Sequence, residues 1–180
     1  MTVHGIFLPK ATMASNVDML SRSAKIAADI DNGWVLQLLT LTGTSGENEV
    51  WAGTQASASA GLTHLWMADG EGLVLTDSKF KNIDPTIQSA FNASGKVFTC
   101  YKPQVDDIIS LTAEAIGGTK STNEFIIATA SDYKLNWASA AVSGLSYKLI
   151  ATDYLSNPSV GNIGDTQRQV IYRFKCVAIA

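Results

Sequence analysis

Apolar residues along this chain recur at every second position, in short runs set off by turn-forming residues. Val97-Phe98-Thr99-Cys100-Tyr101 is followed by Lys102-Pro103-Gln104-Val105-Asp106-Asp107. Ile108-Ile109-Ser110-Leu111-Thr112 comes next, then the Gly117-Gly118 turn, then Phe125-Ile126-Ile127-Ala128-Thr129. β-Branched and aromatic runs broken by Pro, Asp and Gly predict successive antiparallel strands joined by polar turns. Trp34–Leu41 is apolar on both faces apart from Gln37, the mark of a central strand. Shorter strands are predicted at Val50–Ala52, Leu62–Ala68 and Leu73–Leu75. Ser146–Tyr154 alternates, with Tyr147, Leu149 and Ala151 on one side and Lys148, Ile150 and Thr152 on the other. Thr166–Ala180 is the longest run. Its one face carries Val170, Tyr172, Phe174, Cys176 and Ala178, and its other face carries Arg173 and Lys175, which suit solvent or a partner.

Three stretches break this rhythm. Val17, Leu20, Ala24, Ala27 and Ala28 have a weak helical spacing, with Asn16 or Ser15 as cap; the same stretch also reads as an extended arm. Asp84-Pro85 opens a short helical turn that would place Ile87 and Phe91 on one face. Trp137–Ser143 is Ala-rich and reads as a short helix or a loop. Asp31-Asn32-Gly33 is a turn, because Asn and Gly tolerate positive φ. The expectation is an all-β fold: an antiparallel β-sandwich or barrel over residues 33–180, one or two short helices, and an extended N-terminal arm over Met1–Asn32.

Composition narrows the function classes. The chain has 180 residues, enough for one domain that buries roughly 70 % of its unfolded surface. Charged residues are only 16 %, below the usual ~25 %, and Ala, Ser, Thr and Gly fill the gap. Such a surface suits a protein partly covered by partners, and nearly as well a soluble domain that is simply poor in charge. The net charge of −3 comes without any basic run, so the electrostatic footprint of a nucleic-acid binder is missing. No apolar stretch approaches the ~18 residues of a spanning helix. The start of the chain lacks the basic and apolar segments of a signal peptide, so cytoplasmic synthesis is expected.

Candidate chemistry is sparse. His4 and His64 are the only histidines, and neither has a Cys or acidic partner at ligand spacing, so no metal or other cofactor is expected. Cys100 and Cys176 lie in apolar strands and read as buried thiols. A disulfide would require their strands to be neighbours. Cys100 lacks the helix N-terminus or glycine elbow that would expose a nucleophile. Asp106-Asp107 reads as a turn pair and Glu47/Glu49 as solvated loop carboxylates, not as facing catalytic acids. Asp69, Glu71 and Asp77 lack the spacing of a calcium loop. Gly43-Thr44-Ser45-Gly46 lacks the Gly-Lys-Ser/Thr ending of a phosphate loop, and Gly117–Ser121 reads as a hairpin between two strands. Asn92-Ala93-Ser94 matches a glycosylation acceptor. Trp34, Trp51, Trp66 and Trp137 fit either a sugar-stacking platform or burial in a core or subunit interface.

The run Gly95–Ala115, with Phe125–Thr129, Ser143–Thr152 and Arg168–Ala180, resembles the strand–turn–strand segments of tailed-bacteriophage virion proteins, most of all head decoration (capsid cement) proteins. That resemblance implies a non-enzymatic protein made in the host bacterial cytoplasm. It would bind the major capsid protein on the outside of an expanded head and form homo-oligomers such as a trimer. Met1–Asn32 would be its clasp, adding Val3–Leu8 to a neighbour's sheet edge, with Phe7, Leu8 and Trp34 as contact candidates. Two other classes remain open: a tail, baseplate or head-fibre subunit, and a carbohydrate-binding β-sandwich.

Overall fold

The computed structural model describes residues 20–57, 62, 64–70, 91–156 and 168–179. Eleven strands run through them: β1 Ser21–Lys25, β2 Val35–Leu41, β3 Val50–Thr54, β4 Leu65–Ala68, β5 Val97–Tyr101, β6 Ile108–Thr112, β7 Ile116–Gly117, β8 Phe125–Ala128, β9 Leu135–Ala138, β10 Ser146–Ser156 and β11 Arg168–Ala178. The first five close into a barrel in the order β1-β3-β2-β4-β5. The other six form an open sheet in the order β6-β11-β10-β8-β9-β7. The expected sandwich-or-barrel architecture is therefore a barrel with a sheet packed on it. Two pairings, β1 with β3 and β7 with β9, are parallel rather than antiparallel.

β2 and β4 hold the two halves together. Their side chains alternate between two cores, as the strand period of two dictates. Leu36 and Ala68 point into the barrel with Ala24, Ile26, Ile30, Phe98 and Cys100. Val35, Leu65 and Met67 point out, into a larger core with Ile109, Leu111, Ile126, Leu135, Tyr147, Phe174 and Cys176 from the sheet. This is why Trp34–Leu41 reads as apolar on both faces: neither side of β2 meets water over its first half. Within the barrel, β2 and β3 approach closely at Gly53, where an added Cβ would lie 2.7 Å from Leu36 Cδ1.

Several expectations are corrected. Residues 20–32 are not an arm, and no helix forms over residues 21–32. Ser21–Lys25 is a barrel strand, paired with β5 on one side and β3 on the other. Its sequence, Ser-Arg-Ser-Ala-Lys, has little strand preference; neighbours on both edges override it. Of the Ala-rich segment Trp137–Ser143, the first two residues belong to the strand Leu135–Ala138, which pairs with β8, and 139–143 form a loop, one of its two expected forms. Gly117–Ser121 is not a hairpin, because β9 lies between β7 and β8 and takes β7 as a parallel partner. The Asp31-Asn32-Gly33 turn forms as expected, with Gly33 at φ 84° and the Trp34 N–H donating to Asp31 O at 3.3 Å. The strands expected at Val3–Leu8 and Leu73–Leu75 lie outside the described residues, as does the helical turn expected from Asp84-Pro85, apart from Phe91.

The β10–β11 pair changes character along its length. Leu149 opposes Phe174, but Ala151 opposes Arg173, so Ile150 is an extra residue that has no opposite. This bulge reverses the phase of β10. Beyond it, Thr152 opposes Tyr172 and Tyr154 opposes Val170, so Thr152 and Tyr154 share the face of Tyr147 and Leu149. The sequence alternation had placed Thr152 on the other side. Partner β8 reaches only Ser146–Lys148, and β6 covers β11 only over Ile171–Lys175. Past Leu149, β10 is paired on one edge alone among the described residues. It continues as a ribbon whose residues 150–154 are all exposed.

Candidate functional site

Two surfaces stand apart from the cores. The first is a cleft of about 580 Å³ on the barrel. Ser21, Arg22 and Ser23 of β1, Leu41 at the end of β2, Asn48 and Glu49 of the β2–β3 loop, Trp51 of β3 and Thr99 of β5 line it. β5, β1 and β3 are consecutive in the barrel, which brings Thr99 opposite Ser23 and Ser23 opposite Val50. The β2–β3 loop is pinned over this side by Lys25, whose Nζ lies 2.9 Å from Glu47 Oε1 and 3.1 Å from Oε2. The loop is closed at its base by the Thr42 N–H donating to Val50 O at 2.8 Å. The two carboxylates of the loop thus have different tasks: Glu47 holds the loop, and Glu49 is left at the cleft.

The second surface is the ribbon. Ile150 is 48 % exposed and Tyr154 58 % exposed, large apolar side chains on a strand whose second edge has no partner among the described residues. An unpaired strand edge is a row of unused backbone donors and acceptors, and a template for another chain.

The sequence candidates fall as follows. Trp34, half-buried beside the barrel core, stacks on Tyr133 with centroids 6.2 Å apart and planes 10° from parallel. Lys134 Nζ lies 5.2 Å from its ring centroid. Trp66 carries Arg22 at 5.8 Å, and Trp137 meets Tyr172 edge-on at 5.2 Å and Phe174 at 5.5 Å. Trp51 has no such ring or cation partner among the described residues. His4, Phe7, Leu8, Glu71 and Asp77 lie outside the described residues. His64 is exposed.

Cys100 and Cys176 are buried and free, in the barrel and the sheet respectively. Burial pushes each thiol up to about 12, with Arg22 partly offsetting this at Cys100. Cys100 Sγ donates to Arg22 O at 3.3 Å and Cys176 Sγ to Ala178 O at 3.6 Å, the protonated arrangement. Beside Cys176, the fully buried Tyr147 and its neighbour Tyr101 form a phenol pair whose acidity burial suppresses. Tyr101 Oη donates to Met67 Sδ at 3.2 Å. Asp69 is raised by burial as well.

Asp106-Asp107 forms a turn, as expected. Asp106 sits at φ 77° and its carboxylate meets Lys175 Nζ at 2.7 Å. Asp107 Oδ2 accepts from the Gln104 N–H at 2.7 Å, and the Cys176 N–H donates to Asp107 O at 2.8 Å, docking the turn on β11. Asn92 is buried and donates to Asn32 Oδ1 at 2.8 Å, so its amide is not open to a glycan in the folded chain. No group of three or more His, Cys, Asp or Glu side chains converges as a metal site among the described residues. No helix among them is long and apolar enough to cross a membrane.

Sequence reasoning named Trp51 and Glu49 but not the cleft. Arg22, Leu41, Asn48 and Thr99 meet there only because the barrel closes, and no local spacing announces that. The chain matches no family model, no curated protein and no solved structure.

Proposed function

We propose that this chain is a non-enzymatic structural protein of a bacteriophage virion that binds the outside of the expanded capsid and stabilises it as a decoration, or cement, protein. The observation that carries this reading is the ribbon past Leu149: a strand paired on one edge alone among the described residues, with Ile150 and Tyr154 exposed. An isolated two-stranded ribbon is marginal in water, so a projecting one gains most by pairing with a partner's sheet. The low charge of the chain, 16 % Asp, Glu, Lys and Arg, favours area burial over ion pairing as the adhesive. A standard contact buries ~800 Å² on each partner. Repeated over a shell of identical joints, modest single contacts become a large resistance to internal pressure.

The clasp has to be redrawn. Residues 20–32 are spent on the barrel, which leaves residues 1–19, with Phe7 and Leu8, for the capsid, and the ribbon as a second contact. Trp34, half-buried against the barrel core and stacked on Tyr133, is a weaker candidate than Tyr154. The major capsid protein is the partner in this reading, and a homotrimer the assembling unit.

Co-sedimentation of the purified chain with expanded heads stripped of accessory proteins tests the reading. Saturable binding at a fixed ratio to the major capsid subunit, with heads that resist heating better, is the expected result. No association with heads, from a chain that melts cooperatively, rejects it in favour of a tail, baseplate or fibre subunit.

A further inference from the structure

The barrel cleft is unused by the capsid reading, and its composition is specific. Trp51 and Leu41 supply an apolar wall. Ser21, Ser23 and Thr99 supply hydroxyls, Asn48 an amide that both donates and accepts, Glu49 an acceptor and Arg22 a donor fork. The side chains of Ser23, Asn48, Glu49 and Thr99 make no hydrogen bond to another described residue. Three of the four tryptophans are engaged by rings or cations; the one in the cleft has no such partner among the described residues.

We propose that this cleft binds one neutral hexopyranose unit of a glycan. A pyranose has an apolar C–H face, which Trp51 can cover, and a rim of hydroxyls that each donate and accept, which the mixed polar set can satisfy. Small-molecule sites of 300–1,000 Å³ are usual, and about 580 Å³ accommodates one or two sugar rings. The charges select against the rivals. Arg22 and Glu49 leave the cleft near neutral, which disfavours a nucleotide or sulfated ligand, and the chain has no basic run to assist a phosphate. Glu49 can accept from two adjacent ring hydroxyls, a charge-assisted contact stronger than a neutral one. The loop that carries Glu49 is already held by the Lys25–Glu47 pair, so binding requires little further ordering. The site is separate from the ribbon contact, because the ribbon lies on the sheet and the cleft on the barrel.

The test is an amide and indole NMR titration of the full chain with glucose, galactose, mannose and N-acetylglucosamine, each to about 50 mM. A monosaccharide of this size is expected to half-saturate on the order of 1 mM. At least one sugar should produce saturable shifts at the Trp51 indole and at the Ser23, Asn48 and Glu49 amides. Trp51→Ala and Glu49→Gln should each weaken that binding at least tenfold, with the rest of the spectrum unchanged. Because Glu49 is exposed in a loop, its variant stays interpretable if Trp51→Ala unfolds. No saturable shift with any of the four sugars, shifts confined to residues outside the cleft, or undiminished binding in Glu49→Gln would each overturn the proposal. No head particle is involved, so failure here leaves the capsid reading standing and the converse holds too.

Discussion

The barrel and the sheet solve the same problem, that of unpaired strand edges, in opposite ways. The barrel removes its edges by closing: β1 lies between β3 and β5, and every strand has two neighbours. Its core is small, built around Ala24, Ile26, Ile30, Leu36, Ala68, Phe98 and Cys100. The sheet stays open, has a core about twice as populous, and lets β10 run past its neighbours. Closure gives a rigid frame on which four strands can hold a cleft. Openness leaves an edge that another chain can use. The difference divides the labour: the barrel suits a small ligand, and the sheet suits assembly.

The largest break in that comparison would come from deleting residues 1–32. This removes β1, opens the barrel and exposes two strand edges, so we expect the cooperative thermal melt to be lost. Deleting residues 1–19 instead spares β1 and should keep a cooperative melt while weakening head binding. A cooperative melt in the longer deletion, followed by circular dichroism, would mean that the sheet folds without a closed barrel.

Next in size are the cores. Phe174→Ala, at a site with no exposure, should cost about 3–5 kcal/mol in denaturant unfolding. Leu36→Ala in the barrel should cost about 2–5 kcal/mol. Both are expected to shift one common transition, since β2 and β4 belong to both cores. Separate transitions would show that barrel and sheet unfold independently.

A smaller effect should appear in alkali. The folded Cys100 thiol ionises only near 12, held up by burial, against 9.0 as its ordinary value. Between these two values the unfolded chain releases a proton that the folded chain retains. Stability is therefore full below pH 9 and declines as pH rises toward 12, by up to ~1.4 kcal/mol per pH unit for one group. Cys176 acts in the same direction. Guanidinium melts of Cys100→Ala should show a shallower decline above pH 9 than the parent. An equal decline would place the alkaline sensitivity elsewhere, for example at Tyr147.

The smallest expected stability change belongs to the ribbon. Tyr154→Ala should alter unfolding by less than about 0.5 kcal/mol, because Tyr154 is largely exposed. Its effect should appear in head binding. Lost stability with unchanged binding would make Tyr154 part of the fold rather than of a contact.

Much of the strand pattern was legible in the sequence, and the reason is local. β5, β6, β8 and β11 carry β-branched and aromatic residues in alternation, and the Gly33 and Asp106 turns carry residues suited to positive φ. β2 was legible as central because its first half, at Val35 and Leu36, is buried on both faces. β1 was not, since Ser-Arg-Ser-Ala-Lys becomes a strand only through partners brought in by the rest of the barrel. The phase of β10 was hidden because one bulge at Ile150 reverses every later side chain without altering the apparent alternation. The placement of β9 between β7 and β8 is long-range as well. It leaves space for nothing larger than Gly117 beside Asn136, where an added Cβ would collide with the Asn136 amide. The cleft drew on segments far apart in the chain, so Trp51 and Glu49 could be named but not joined.

Hydrogen–deuterium exchange on the chain, free and bound to expanded heads, tests the division between edge and barrel most directly. Binding through the open edge predicts slowed exchange at residues 150–156 of β10, with β2 and β3 of the barrel unchanged. Protection confined to the barrel, or none at β10 in a complex that demonstrably forms, would contradict it.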